Sequence, residues 1–503
     1  MSSSSHVAQF LAIDITTTEL ALAVRSADGA EGFASLKMRG AVLWREDAQY
    51  PGFQLAEVPR MIGELLAELQ AAGWSFARPA HDPGFVSVSC RQHDMVVLDQ
   101  RGEPLLPALM WKCNAATLEV QLLRELGAEA TIGRVEERFV LPKLLHVLRL
   151  QPEWKAKIAR VFMTGDWVAW SLTGVARLAK SDALSNGLLV QADRSLATSV
   201  MEAAGLDPVW FPEPACTGSV VGSIAVSSDP VRAPWNSIQG TLAGWQFVAG
   251  LGDNHASAVG AGMTDDCETL VVSAGTSGTV NLSFPAAAKL TPNSGVLQFE
   301  FYERHQLLLL MLGDCGSWYS HFYRLWAPEF ADELDALNSA AMSTDLAQVQ
   351  RILHDDASNE KTYPIQWLEM ELGEKTACTQ FSIVFELVRR VAKMLNAVAD
   401  KAHVKTFVLT GGLSQSPLVQ QFFHAGIQTI APGAEVKVSG RTGALRFKTS
   451  AYGALVTAEM AKVGSLAGVY ADTARFPLVA SAKFDRIRLE QARYLFQAYG
   501  VDR

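Results

Sequence analysis

An α/β chain of two or three domains is what this sequence predicts, and three observations predict it. Apolar runs of strand length end in glycine, hydroxyl or carboxylate residues, as at 10–14, 269–273 and 406–410. Segments of helical period lie between such runs, 59–72 and 382–400 among them. The 503 residues exceed one ordinary core. A hydrophobic content of 49% with 19% charged residues is that of a well-buried globular protein. A net charge of −9 without a long basic run counts against nucleic acid and anionic membrane as partners. No apolar run reaches spanning length, 307–312 being only strand-sized, and the opening Met1-Ser2-Ser3-Ser4-Ser5-His6 has no signal-peptide pattern. Six scattered cysteines without a CxxC pair read as reduced core thiols, so a cytoplasmic protein is expected.

Taken in order, residues 10–14 form an apolar strand closed by Asp14, a turn follows at 15–18, and 20–24 return as the second arm of a hairpin. Asp28-Gly29 marks the next turn, 59–72 an amphipathic helix, and 85–89 and 95–99 two strands. Residues 115–174 read as mostly helical, stopped by Thr173-Gly174. The proline- and glycine-punctuated stretch 208–222 leads toward a domain boundary placed at Gly244, giving domains 1–244 and 245–503, with the last helix free to pack back on the first. The second half restarts the pattern with strand 269–273, turn 274–278 and return 279–284. Set beside the first hairpin, Thr17 falls on Thr276 and Thr18 on Ser277. A long helix at 382–400, a strand at 406–410 ending in Gly411-Gly412, a helix from Pro417, a hairpin at 436–447 turning at Gly443 and a small-residue helix at 451–461 complete the reading.

The midpoint stretch Gly250-Leu251-Gly252-Asp253-Asn254-His255-Ala256 reads as strand, tight glycine turn and helix, with Ala256, Gly260 and Ala261 packed closely on a neighbour. Asp253 then stands near a helix N-terminus, either as a cap or as a group facing a ligand. Glycine and hydroxyls at the strand-turn tips suit phosphate, because backbone N–H groups converge there. Asp14 beside Thr17 could reach Mg²⁺, which takes one or two carboxylates plus phosphate oxygens. Gly275-Thr276-Ser277 offers a second phosphate cradle, and Gly411-Gly412 lets a flat group approach the backbone. There is no Walker A motif, kinase signature or dinucleotide fingerprint.

In their order these segments resemble the FGGY family of carbohydrate kinases nearly end to end. Leu11 to Thr18 resembles the first phosphate hairpin, Ser89 to Asp99 (SCRQHDMVVLD) the sugar segment often written SGQMHGxVxxD, and Ser171-Leu172-Thr173-Gly174 the LTG helix end. GLGDNHASAVGAG is similar to the catalytic segment and most like that of xylulose kinases, usually GDNAA. Ser273 to Gly278 resembles the second phosphate motif, Gly313 to Trp318 the nucleotide segment, and Thr410 to Gln420 the adenosine motif. The resemblance implies a two-domain actin/hexokinase-like (ribonuclease H-like) ATPase fold whose hinged closure over a cleft expels water, and ATP-dependent phosphorylation of a sugar such as D-xylulose. Asp253 would be the general base, Asp14 the Mg²⁺ ligand, and Gln92, His93, Asp253 and Asn254 the sugar contacts. Thr17, Thr18, Gly275 and Thr276 would face the phosphates, and Gly313, Gly411, Gly412 and Ser416 the ADP. Sugar and ATP would be the partners, with a homodimer left open.

Four departures stand out against that pattern. The first hairpin's glycine is Thr16, whose β-branch is expected to widen or shift the turn, and its basic residue is Ala21. The sugar segment's glutamine is Arg91, and the loop W-x-D-x-R is Trp111-Lys112-Cys113-Asn114-Ala115. Another polyol or ketose as substrate, an actin-like ATPase and a sugar-binding relative without catalysis are the competing readings.

Overall fold

The computed structural model describes residues 6–38, 42–43, 52–292, 294–302, 305–330, 334–354, 361–362, 365–398, 403–439, 448–470, 478–481, 484 and 486–501. Along the chain, β1 (His6–Ile15) and β2 (Glu19–Ser26) form the expected hairpin, and β3 (Glu31–Lys37) extends it. β1 is buried from Ala8 through Ile15, as a strand covered on both faces must be. α1 (Glu57–Ala71) turns Val58, Met61, Ile62, Leu65, Leu66 and Leu69 inward, one face of a 3.6-residue period. β4 (Phe85–Cys90) and β5 (Val96–Asp99) follow.

The stretch expected to be mostly helical contains α2 (Thr117–Glu125), α3 (Ala128–Ile132), α4 (Val140–Leu150) and α5 (Thr164–Thr173), the last stopped by left-handed Gly174 at φ 78°. It also contains a strand, β6 (Ile158–Phe162), paired antiparallel with β5. After α6 (Lys180–Ser185), the stretch expected to be loop at 208–222 also holds a two-residue strand at Pro214–Ala215 and the start of β7 (Val220–Ser223), which pairs with β8 (Gln246–Gly252). α7 (Asp253–Gly260) begins directly after β8. The glycines at 250 and 252 are therefore strand residues, not the expected tight turn. A Cβ on Gly250 would fall on the Val88 carbonyl, and one on Gly252 on the Gln92 side chain. Close approach, not backbone freedom, requires glycine at both.

The second half runs β9 (Thr269–Ala274), β10 (Gly278–Pro285), β11 (His305–Leu312), α8 (Gly316–Trp326) and α9 (Leu334–Met342). α10 (Leu372–Ala397) starts ahead of the expected 382, at a capping box in which Glu371 and Glu374 serve each other's backbone; 399–400 lie outside the described residues. β12 (Thr406–Thr410), α11 (Pro417–Ile430), β13 (Glu435–Ser439), α12 (Thr449–Val463), β14 (Leu478–Ala480) and α13 (Arg486–Ala498) complete the chain. Of the hairpin expected at 436–447, residues 440–447 lie outside the described residues.

The chain divides into two compact units. The first is Met1–Gly260 with Phe299–Arg304 and Gly443–Asp472; the second is Ala261–Gln298, His305–Thr442 and Thr473–Arg503. The division thus falls after α7, not at Gly244, because β8 is paired along its length with β4. The helix that returns to the first unit is α12, not the last one. α13 packs on α11 and α10 in the second unit, Phe496 ringing with Phe381 and Phe385.

Each unit repeats one topology. In the first the strand order is β7–β8–β4–β1–β2–β3, with β1 antiparallel to β2, β2 to β3, and β1 parallel to β4 and β4 to β8. In the second, β14–β13–β12–β9–β10–β11 has the same directions at the same places. The α/β fold class is borne out, and the two hairpins set side by side in the sequence occupy corresponding positions.

Candidate active site

In open α/β sheets ligands gather beyond the carboxyl ends of the parallel strands. In the first unit β1, β4 and β8 are adjacent and in register at those ends, Asp14 lying opposite Ser89 and Ser89 opposite Leu251. The register brings Asp14, the Gln92-His93 pair after β4, and Asp253-Asn254 after β8 to one edge.

Asp14 is 1% exposed, and its Oδ2 accepts a 2.7 Å hydrogen bond from Ser450 on α12. Its Oδ1 is buried and makes no hydrogen bond among the described residues. Burial pushes the carboxyl up to about 6 against the Ser450 and Ser89 hydroxyls, with the charges of Asp253 and Glu19 adding to the rise. An orphaned buried oxygen beside a phosphate-type turn fits a Mg²⁺ held by one carboxylate and completed by phosphate and water. No group of three or more His, Cys, Asp or Glu able to hold a metal exists among the described residues.

Asp253 opens α7, its Oδ1 accepting the Asn254 N–H at 2.8 Å. Withdrawal from water pushes this carboxyl up to about 6; the Asn254 N–H opposes the rise and Asp94 adds to it. His93 is buried and has a positive φ of 67°, and its ring stacks on Phe139. Its Nδ1 lies 3.2 Å from Asn186 Oδ1, and Asn186 Nδ2 donates to the Asp182 carbonyl. That fixes Asn186 as the acceptor, so His93 carries its proton on Nδ1 and leaves Nε2 as an acceptor. Burial, then Arg138 and Lys143, hold His93 well below the usual imidazole range, so it is neutral. Gln92, half-buried, donates through Nε2 to His255 Nδ1 at 2.9 Å.

The first hairpin differs from expectation at Thr16. Its φ is not positive, and the ladder runs through to Ile15 opposite Leu20. Thr16 N–H and Oγ1 both donate to the Glu19 carbonyl, and Glu19 N–H donates back to Oγ1 at 3.1 Å. The β-branch closes the turn and does not widen it. Arg91 adds to this by donating to the Thr16 carbonyl at 2.6 Å while pairing with buried Asp94 at 2.7 Å. Thr17 is half-buried, Trp111 Nε1 donating to its hydroxyl at 3.4 Å, and Thr18 is exposed. Sequence reasoning missed Ser450, Asp94, Asp182 and His255. Asp94 carried a signal as part of the sugar-segment resemblance, and Asp182 as an acid beside small and apolar residues.

The second unit has its own strand-end cluster. Gly275 and Thr276 follow β9, Gly313 follows β11, and Gly411-Gly412 follow β12, with Ser273 opposite Thr410. Gly411 sits at φ 92°, and a Cβ there would lie 2.5 Å from the Ala274 carbonyl carbon, so only glycine lets this turn press on the Gly275 turn. Gly412 faces open space. A pocket of about 420 Å³ is lined by Gly275, Thr276, Gly316, Tyr319, Gly412 and Ser416 among others, within the usual size for a small-molecule site. Gly313 and Gly411 do not line it. Ser416 caps α11, accepting from Val419 N–H and donating to Gln380 Oε1 at 3.1 Å, while Gln380 Nε2 donates to Asn338 at 2.7 Å and Tyr319 at 3.2 Å. Among the described residues the polar wall is thus hydroxyl and amide, without a carboxylate. Cys315, Gly316 and Ser317 spend their N–H groups on the carbonyls of Gly275 and Thr276.

Residues 41–260 match the N-terminal domain of the FGGY family of carbohydrate kinases. The chain is 32% identical over 207 residues to a xylulose kinase of Streptomyces rubiginosus, a match covering 40% of this chain and 41% of that one. The matched stretch thus spans about two fifths of that relative's length. Among solved structures, a gluconate kinase from Lactobacillus acidophilus is similar with a TM-score of 0.78 at 14% identity, over 99% of this chain and 97% of that one. A Plasmodium falciparum glycerol kinase solved with ADP is similar with a TM-score of 0.77 at 14% identity, over 98% of each. Residues 41–260 thus match an FGGY carbohydrate-kinase N-terminal domain, and along nearly its whole length the chain shares the fold of these solved kinases.

Proposed function

We propose that this chain is a carbohydrate kinase of the cytoplasm that transfers a phosphoryl group from ATP to a hydroxyl of a ketopentose such as D-xylulose. The observation that carries the reading is the carboxyl of Asp253, raised to about 6 at the strand ends that also bring up Asp14, Gln92 and His93. A base with that pKa is mostly ionised at neutral pH and still takes a proton readily. Asp253 accepts the proton of the sugar hydroxyl as the new O–P bond forms. Gln92, His93 and Asn254 orient the sugar, His93 through its Nε2 acceptor. Asp14 would hold Mg²⁺, which when bound would supply charge neutralisation for the phosphates. Thr17, Thr18, Gly275 and Thr276 face the phosphates, and Gly313, Gly411, Gly412 and Ser416 the ADP. The kinship with a xylulose kinase supports the sugar, although Cys113 and Ala115 replace the acid and arginine of the usual loop.

The test is ADP release with D-xylulose, L-ribulose, gluconate and glycerol compared. D-xylulose should give the highest kcat/KM. Preference for another sugar sinks the xylulose assignment and keeps the kinase; release that ignores sugar points to an ATPase; binding without turnover points to a relative that has lost catalysis.

A further inference from the structure

The Gln92 amide is held by three groups, and together they decide which end of it faces outward. Nε2 donates one proton to His255 Nδ1 at 2.9 Å and the other to Ser185 Oγ at 3.4 Å. Ser185 spends its own proton on the Ser181 carbonyl at 2.7 Å, so only its lone pairs face Gln92. An amide turned the other way would set its oxygen against those lone pairs. His255 is fully buried with its ring edge-on to Phe299, and burial pushes its pKa down to about 3, so it stays neutral. With Nδ1 accepting, its proton sits on Nε2, toward the Glu300 backbone. Gly252 completes the seat, because a Cβ there would collide with the Gln92 side chain. Gln92 itself is half-buried, so its Oε1 is the end left for a ligand.

Both residues are also polar where the resembled segments carry an apolar side chain. Gln92 stands where the sugar segment often has methionine, and His255 where the catalytic segment usually has alanine. They lie 163 positions apart and bond each other.

We propose that His255 is a positioning residue that holds the Gln92 amide with its carbonyl toward the sugar, so that the pair selects a substrate presenting a donating hydroxyl at that point. The inference rests on the sugar-kinase reading and deepens it. With Oε1 of Gln92, Nε2 of His93 and the Asp253 carboxylate all accepting, the chosen substrate is a neutral polyol that donates three times, and a sugar acid with a carboxylate there is refused.

The experiment compares His255→Ala, His255→Asn, Gln92→Met and the double variant Gln92→Met/His255→Ala with the parent. Melting without ligand checks the fold, the sugar-induced shift in melting reads binding without turnover, and steady-state rates separate KM from kcat. His255→Ala should raise the KM of the preferred sugar about tenfold, the weight of one lost hydrogen bond, with kcat within about twofold and the ATP KM unchanged. His255→Asn keeps an acceptor toward Gln92 and should recover most of the loss. Gln92→Met, at a half-exposed position, should match His255→Ala even where the latter folds poorly, and the double variant should be no worse than either single one. A drop in melting temperature and kcat with the sugar KM unmoved, or additive losses, would overturn the pairing. A parent that turns over gluconate better than neutral polyols overturns the acceptor orientation. A parent that neither binds nor phosphorylates any sugar overturns the kinase reading and this one together, whereas an active parent with an indistinguishable His255→Ala overturns this one alone.

Discussion

Asp182 in the first unit and Glu386 in the second are both carboxylates lost from solvent, at 3% and 2% exposure. Their surroundings differ completely. Among the described residues Asp182 has only the Cys90 thiol at 3.7 Å on one oxygen and no hydrogen bond on the other, and burial, followed by the charge of Asp253, pushes it up to about 8. Glu386 is gripped by Arg351 at 2.6 Å, Arg389 at 2.7 Å and Arg390 at 2.9 Å. Burial pulls upward on it too, but the hydrogen bonds and charges of Arg389 and Arg351 outweigh that, and it lies below the usual carboxylate range. The acids at the strand ends of the first unit, Asp14 and Asp253 included, follow Asp182. A buried acid gripped by cations supports structure, whereas one without such a grip has its pKa moved up toward neutrality, where a proton can be exchanged.

The largest expected effect breaks the comparison on the side of Asp253. Asp253→Asn still accepts the Asn254 N–H, so the fold should hold within about 1 kcal/mol, the scale of a cap substitution. An amide is no base, and kcat should fall by about 10² to 10⁴. In the parent, kcat/KM should climb as pH rises through about 6 and level above it, because the base must be ionised. Asp14, pushed to the same value, shares that limb, so the rise belongs to the pair. A variant that turns over sugar near the parent rate would leave Asp253 with its helix-starting role alone.

Next in size is the second unit's acid. Glu386→Gln strips the charge that compensates three guanidiniums and should cost about 3 kcal/mol, near the low end for breaking a buried pair since Arg389 is 43% exposed. The pH dependence sharpens the contrast, because the signs are opposite. Glu386 has a lowered folded pKa, so its stabilisation is present above the unfolded value and lost as pH falls through the folded one. Asp182 has a raised folded pKa, so the folded state holds the extra proton and stability declines as pH rises from about 4 toward about 8. Urea melts across pH should show the acid-side loss diminished in Glu386→Gln and the alkaline-side decline flattened in Asp182→Asn. Superimposable pH profiles for the two variants would dissolve the distinction.

The smallest effect concerns Thr16. Since its side chain closes the hairpin onto Glu19, Thr16→Gly should lose about 1 kcal/mol and weaken ATP binding. Tighter ATP binding or a higher kcat would show the threonine to be an obstruction after all.

What the sequence disclosed follows from how local each feature is. Gly174 ending α5, Gly411 after β12 and Pro417 starting α11 are set by backbone conformation within a few residues, and each was legible. β6 was not: its residues, Ile158–Phe162, become a strand only by pairing with β5 some sixty positions earlier. The glycines at 250 and 252 looked like a turn because glycine signals both turns and close contacts, and the neighbour that decides, Val88, is remote. The candidate site divides likewise. Strand ends located Asp14, His93, Asp253 and Gly411, but the partners that tune them, Ser450 for Asp14 and His255 for Gln92, lie 436 and 163 positions away.

The return of α12 to the first unit has a consequence for synthesis. Gly453 and Gly260 let α12 and α7 touch backbone to backbone, and α12 also supplies Ser450 to Asp14, and Glu459 and Tyr452 to the buried Arg25. A chain leaving the ribosome has made most of the second unit's sequence, all but Thr473–Arg503, before this helix emerges. The unit that begins first is therefore finished late, with Arg25 held by Glu31 but still lacking Glu459 and Tyr452, and with an open helix-sized apolar face through most of translation. Vectorial folding from the N-terminus, the usual order for multidomain chains, is denied to this one by the single helix that its first strand awaits.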